Sequence, residues 1–314
     1  MPIYYPYFRG KQYELVAIRE SAPLLARSEF VPIIEPVKET FSGLRRAIDA
    51  VTDADGGAVV VVNPEHGHHA QSAGEIKNLF QRELAGKPNI AAGILLTNEM
   101  TVEDSVSLYE QYKDRDVALI HDGFNDGRKL AETLGDEISE PLHVFVEQQH
   151  GKLYRKHFAE GTRILLRDGF RRQKNKDYPP REKFSDLHLT YSDEGANGFG
   201  DYLIVGDEFS ETGGPAYAVA IHLTFLDADQ DGEMHIFHFV SVRSDTPTDP
   251  AGKFGEALEK LVAEVRRRNT PVLRTEAVKE YLDLHRRKHF PGLGYVKKLS
   301  MKHHMETLAA YFAR

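Results

Sequence analysis

Short apolar runs alternate with longer amphipathic stretches along most of the chain. Tyr4 to Phe8 reads as a strand, and Lys11 to Ala26, with Leu15, Ile18 and Leu25 on one face, as the helix after it. The cycle then repeats. Phe30 to Pro36, Ala58 to Asn63, Ile90 to Thr97, Val117 to His121, Leu142 to Glu147 and Arg163 to Arg167 predict further strands. Between them, Phe41 to Val51, Ser72 to Leu84, Val102 to Tyr112, Gly127 to Ile138 and Tyr154 to Phe158 predict helices. Ala58 to Val62 is unbroken apolar sequence, which suits a strand covered on both faces. Leu187 to Tyr191 predicts an eighth strand. Eight strands, each followed by a helix or a loop, fit a closed TIM-like (β/α)8 barrel better than an open doubly wound sheet. No GxGxxG or Walker pattern follows the first strand, where an open nucleotide-binding sheet would carry it.

Beyond the eighth strand the rhythm breaks. Tyr202 to Val205, Ala216 to Phe225 and His235 to Val242 are β-like runs between Gly-rich or Asp-rich turns, and they predict an antiparallel excursion. Phe254 to Arg268 then reads as an amphipathic helix with Leu258, Leu261, Val262 and Val265 on one side. Two further helices, about Thr275 to Lys288 and Leu299 to Phe312, end the chain. The expected organisation is one α/β domain over 1–314, with a β insertion at 202–242 and a basic helical extension at 269–314.

Composition narrows the class without naming a reaction. At 314 residues, 41% hydrophobic and 28% charged, the chain can bury a full core and is neither disordered nor collagenous. Its apolar runs fall far short of the roughly 20 residues that cross a bilayer, so no membrane partner is expected. The first ten residues lack a basic stretch followed by an apolar one, and a cytoplasmic protein is expected. With no cysteine, disulfides, thiolate metal ligands and cysteine nucleophiles are excluded. The net charge of −8 is unevenly placed: from Arg266 to His304, eleven Lys and Arg face three acids, a net of +8 that leaves −16 elsewhere. Such a cationic segment can bind a phosphate polymer or a protein partner, or dock on the anionic body.

The opening Tyr5-Pro6-Tyr7-Phe8-Arg9-Gly10-Lys11-Gln12-Tyr13-Glu14-Leu15, together with Val31-Pro32-Ile33-Ile34-Glu35-Pro36 and Gly200-Asp201-Tyr202, resembles the bacterial and phage "beta protein" family. The resemblance implies a barrel-like α/β protein of about this size. It brings no settled activity, and its taxonomic range fits a phage-linked or phage-defence role.

In a barrel, chemistry sits at the C-terminal ends of the strands. Those ends carry Arg9 and Lys11, Glu35 and Lys38, Asn63, Glu65 and His66, then Asn98 and Glu99, His121 and Asp122, Glu147 and Gln148, and Arg167 and Asp168. Glu65, His66, Asp122 and Glu147 are the candidate ligands for Mg2+ or Mn2+. The same positions also read as solvated strand ends, and His66, His68 and His69 share a loop that does not fix them on one ion. Glu35, between Pro32 and Pro36, is a candidate acid/base residue or simply an acceptor for nearby amides. After the seventh strand, Arg167 to Tyr178 packs cations into the loop that commonly binds phosphate in barrels. Arg167, Arg171 and Arg172 join Arg9 and Lys11 as candidate phosphate ligands, against the alternative of a flexible charged loop. Asp186 and His188, two apart on the expected eighth strand, would share a face as an acid/base or a structural pair. Asp227, Asp229 and Asp231 before Gly232 imitate a calcium loop but lack its flanking helices and read as a hairpin turn.

Two functions fit. One is a barrel enzyme, a metal-assisted hydrolase acting on a phosphate-bearing small molecule or nucleotide. The other is a noncatalytic barrel that binds a ligand, a protein or, through its basic C-terminal segment, a nucleic acid.

Overall fold

The computed structural model describes residues 2–71, 74–211 and 214–313. The chain divides into two compact units, one formed by Met1–Arg167 with Thr190–Tyr202, the other by Asp168–Leu189 with Leu203–Arg314.

The first unit carries the parallel strands of a TIM-like α/β barrel. β1 (Tyr7–Phe8), β2 (Ile33–Ile34), β3 (Ala58–Val61), β4 (Ile90–Thr97), β5 (Val117–Asp122), β6 (Leu142–Val146) and β7 (Arg163–Leu166) pair in sequence order. Every pairing is parallel, for example Ile33 opposite both Tyr7 and Val59. Between the strands run α1 (Gln12–Arg27), α2 (Ser42–Asp53), α3 (Gly74–Arg82), α4 (Val102–Tyr112), α5 (Gly127–Leu134) and α6 (Lys152–Arg155). The start expected for the third helix, Ser72 and Ala73, lies outside the described residues. Thr101 begins α4 with a capping box: its hydroxyl accepts from Asp104 N, and the Asp104 carboxylate accepts from Thr101 N. That satisfies two backbone donors left open by the first turn.

Strand alternation splits the side chains into two layers. Tyr5, Tyr7, Ile33, Val59, Val61, Leu95, Ala118, Ile120, Val144, Val146, Ile164, Leu166 and Tyr202 form one buried cluster, the filled interior of the barrel. The intervening residues Ile34, Val60, Ile94, Leu119 and Leu165 are buried as well. β3 is therefore apolar at every position because neither of its faces meets water.

The eighth barrel strand is not where alternation places it. Leu187 to Tyr191 imitates a strand, but Ser185 Oγ accepts from Leu187 N and starts a helical turn, α7 (Leu187–Thr190), whose first three residues belong to the second unit. The strand before it, β8 (Arg181–Ser185), also belongs to that unit. The barrel closes instead through β9 (Gly198–Gly200), which pairs with β7. Phe199 N donates to Ile3 O at 2.9 Å, Tyr5 N to Phe199 O at 2.8 Å and Tyr7 N to Asp201 O at 2.9 Å. Glycine is required on this strand, because a Cβ on Gly200 would sit 2.2 Å from the Tyr5 carbonyl oxygen. Such a short, Gly-flanked strand has almost no hydrophobic pattern of its own.

The second unit packs an antiparallel sheet against helices. β10 (Ala220–Asp227) and β11 (Glu233–Val240) form a hairpin, and β8 pairs with β11, giving the order β10-β11-β8. The Asp-rich segment is the hairpin turn: Asp227 Oδ1 accepts from Asp229 N, and Asp231 and Gly232 take positive φ. Tyr202 to Val205, expected as a strand of this excursion, is a turn, and the third strand comes from Arg181–Ser185. α8 (Pro250–Val265), α9 (Glu276–Arg287) and α10 (Leu293–Phe312) bury Phe254, Leu258, Leu261, Val278, Tyr281 and Leu299 with Ile221, Leu223 and Phe239 of the sheet. Each fully buried aliphatic side chain there contributes about 1.5–3 kcal/mol.

Candidate functional site at the barrel mouth

Glu35 leaves the C-terminal end of β2 with its side chain 1% exposed. A buried carboxylate is costly unless its lone pairs are met, and these are met. Oε1 accepts from Glu65 N and His66 N, both at 3.0 Å, and lies 3.1 Å from His66 Nδ1. Oε2 accepts from the Tyr7 hydroxyl at 3.2 Å and stands 3.5 Å from Arg9 Nε. Burial pushes the Glu35 carboxyl up, but the His66 hydrogen bonds and the Arg9 and His66 charges outweigh it and hold it below the usual range. Glu35 is therefore an ionised hub.

Local sequence explains how the loop after β3 reaches that hub. Gly67 adopts φ +79°, and a Cβ there would stand 2.2 Å from Val37 O. This turn lets His68 N donate to Val37 O, which folds Glu65 and His66 back over the end of β2. His69 Nε2 lies 3.0 Å from the Lys38 carbonyl, and its ring stacks on Phe41, so that imidazole serves packing. Asn63 extends β3 by other means: its side chain donates to Leu95 O and accepts from Leu95 N, both at 2.8 Å.

Arg9 and Tyr7 come from β1. The Arg9 guanidinium carbon lies 5.7 Å from the Tyr7 ring centre and 5.3 Å from that of Tyr202, and the two rings are 5.1 Å apart. Burial, then the charge of Glu35, holds the Tyr7 phenol well above its ordinary value, with Tyr202 and Asp122 adding to the effect. Tyr7 therefore stays protonated and donates. Tyr7 and Tyr202 fall in the segments quoted for the family resemblance but carry no charge that marks them for a site; their placement depends on strand alternation and on the position of β9.

The other strand-end residues take separate roles. Arg167 grips Glu147 with two donors, Nε to Oε2 and Nη2 to Oε1, the latter at 2.8 Å. Lys11 is the N-cap residue of α1, and its carbonyl accepts from Leu15 N. Glu65 is exposed and contributes its backbone N–H to Glu35, while Asp122 ends β5. Among the described residues, no group of three or more His, Asp or Glu stands where it could hold one metal ion. Glu65, His66, Asp122 and Glu147 thus do not form a cage that fits Mg2+ or Mn2+.

Asp168, Arg171, Arg172, Asp186 and His188 belong to the second unit. Asp168 accepts from Phe170 N and Asp207 N, both at 2.8 Å, which pins the loop. Arg171 is exposed, and Arg172 donates to Glu208 O at 3.1 Å. Asp186 and His188 do not share a strand face, because the strand ends at Ser185 and His188 lies within α7. Asp186 accepts from Lys183 Nζ at 2.8 Å; His188 Nε2 is 3.1 Å from Gly232 O, and its ring meets Tyr311. These contacts anchor the local fold.

Strand-end reasoning names His121 but misses the buried histidine it meets. His121 and His143, adjacent on β5 and β6, form a chain: Tyr154 OH lies 2.8 Å from His121 Nδ1, His121 Nε2 3.1 Å from His143 Nδ1, and His143 Nε2 2.8 Å from Ile138 O. Only one proton arrangement satisfies every link with neutral rings. Nε2–H of His143 donates to Ile138 O, Nε2–H of His121 donates to His143, and Tyr154 donates to His121.

No protein-family model matches the chain, and no curated protein matches it. Among solved structures, an N-acetylneuraminate lyase from Mycoplasma synoviae is similar at 11% identity, covering 64% of this chain and 67% of that one, with a TM-score of 0.38.

Proposed function

We propose that the protein is a barrel enzyme acting on a small phosphate-bearing substrate by general acid/base catalysis, with Glu35, His66, Arg9 and Tyr7 as its working groups. The observation that carries this reading is the buried, fully hydrogen-bonded Glu35 carboxylate at the C-terminal end of the barrel, with an imidazole and a guanidinium both held against it. An ionised Glu35 accepts the Nδ1 proton of His66, which sets the tautomer and leaves the Nε2 lone pair to act as the base. His66 is the more exposed partner, at 28% against 1% for Glu35, as a residue that meets substrate must be.

In phosphate-ester hydrolysis, His66 Nε2 takes a proton from water as the water oxygen bonds to phosphorus. The bond from phosphorus to the ester oxygen breaks, and the departing alkoxide regains the proton. Arg9, packed against the Tyr7 and Tyr202 pair, neutralises charge growing on the phosphoryl oxygens, and Tyr7 keeps Glu35 oriented. No step is routed through a metal. The residues that resemble the beta protein family also supply this mouth: Tyr7, Arg9, Glu35 and Tyr202 lie in its three quoted segments. The resemblance thereby gains a chemical meaning.

Release of inorganic phosphate from a panel of phosphomonoesters and nucleotides tests the proposal. His66→Gln should lower kcat by about 10^2–10^4-fold, the usual worth of a general base. Arg9→Ala should mainly raise KM. Absence of turnover across the panel, together with absence of calorimetric binding of any phosphate compound to the wild type, would favour the noncatalytic barrel.

A further inference from the structure

The second unit carries a histidine chain of a different kind. Its sheet places Glu182 on β8, His238 on β11 and His222 on β10, with His222 directly opposite His238 in the register. His238 Nε2 lies 3.0 Å from Glu182 Oε1, and His238 Nδ1 lies 2.7 Å from His222 Nδ1. An ionised Glu182 needs a donor, so His238 carries its proton on Nε2 and its Nδ1 is an acceptor. His222 then donates from Nδ1, and its lone pair is left on Nε2. The chain thus has a direction: carboxylate, imidazole, imidazole, lone pair.

Its end differs from that of the His121–His143 chain, which runs into the Ile138 carbonyl. No further hydrogen bond to His222 occurs among the described residues, and the residue keeps 9% of its surface exposed. Aromatic rings hold the pair in place: Tyr178 stacks on His238 at 4.5 Å, and Phe170 meets His222 edge-on at 5.0 Å. The charged groups that bear on the chain are cationic apart from Glu182. Burial, then His238 and Lys297 on α10, holds the His222 imidazole well below its ordinary value, burial holds His238 down to about 4, and Arg171 acts on Glu182, so both imidazoles are neutral.

We propose that His222 Nε2 is a binding site for a monoprotonated phosphate group, whose P–OH donates to Nε2 while Lys297 balances its charge. A neutral imidazole acceptor beside a cation selects a ligand that has both a proton to donate and a negative charge. A phosphate monoanion has both; sulfate, a dianion without a proton, lacks the donor. Glu182 and His238 are positioning residues, because they set which His222 nitrogen keeps the lone pair. The site lies wholly within the second unit and does not depend on the barrel mouth.

The test is titration of the full chain with phenyl phosphate, read by calorimetry and by the 15N shifts of the histidine rings. Binding should move the His222 Nε2 resonance and weaken about tenfold per pH unit above roughly pH 6, where phosphomonoesters lose their second proton. An ordinary cationic site behaves oppositely, since it gains from the dianion. Sulfate at equal concentration should leave His222 unmoved. His222→Gln should abolish this component, Glu182→Gln should weaken it, and Arg9→Ala should leave the His222 shift intact. Equal response to sulfate, affinity that rises with pH, or a His222 resonance unmoved by phenyl phosphate would overturn the proposal; this last reading needs no variant to fold.

Discussion

Lowering the pH should unfold the protein through its buried histidines before most carboxylates protonate. His143 and His303 are fully buried and are pushed from 6.5 down to about 4, chiefly by burial. In the unfolded chain each takes up a proton near pH 6.5, whereas in the folded chain each resists until about pH 4. Between those values the unfolded state holds more protons, so stability is full above pH 6.5 and falls as the pH drops through the window. A shift of this size is worth about 3 kcal/mol per histidine, and the slope is about 1.4 kcal/mol per pH unit for each. His143 lies in the first unit and His303 in the second, so each unit loses about 3 of the 5–15 kcal/mol that holds most domains folded. His121 and His222, pushed down by burial and by their histidine neighbours, act in the same direction. Urea denaturation followed by circular dichroism at pH 7, 6, 5 and 4.5 measures the effect, and His143→Gln should reduce the slope of the first unit by one site. Stability unchanged from pH 7 to 5, or the same slope in wild type and variant, would refute the assignment of these rings as neutral and buried.

Gly200→Ala should destabilise the first unit by about 3 kcal/mol, since its Cβ would overlap the Tyr5 carbonyl and force β1 and β9 apart; a lowered thermal midpoint checks it. Thr101→Ala should cost about 1 kcal/mol through loss of the α4 capping box, read as a lower urea midpoint at unchanged m-value.

Much of the barrel was legible because its strands are buried on both faces and written as apolar runs. Ala58 to Val61 and Ile90 to Thr97 name themselves. The closing strand did not, because Gly198–Gly200 is specified by the close approach of another chain segment rather than by its own apolar content. Leu187 to Tyr191 offered a better pattern and the wrong structure. Alternation reports which positions could be buried, but a serine hydroxyl that accepts a backbone proton can redirect a short segment.

The site divides along the same line. Sequence alone determined that cysteine chemistry is impossible and that charge collects at strand ends, with Arg9, Glu35 and His66 among the candidates there. Tertiary structure decided which of them meet. Glu35 and His66 are 31 residues apart, and their contact exists only because Gly67 turns the loop back. Tyr7 and Tyr202, which flank Arg9, come from the two ends of the barrel strand sequence. The Glu182–His238–His222 chain joins three strands, and its proton order follows from one half-buried carboxylate. Hydrogen-bond partners separated by many residues leave no periodic trace, because direction and distance are settled only when the sheets and loops close around them.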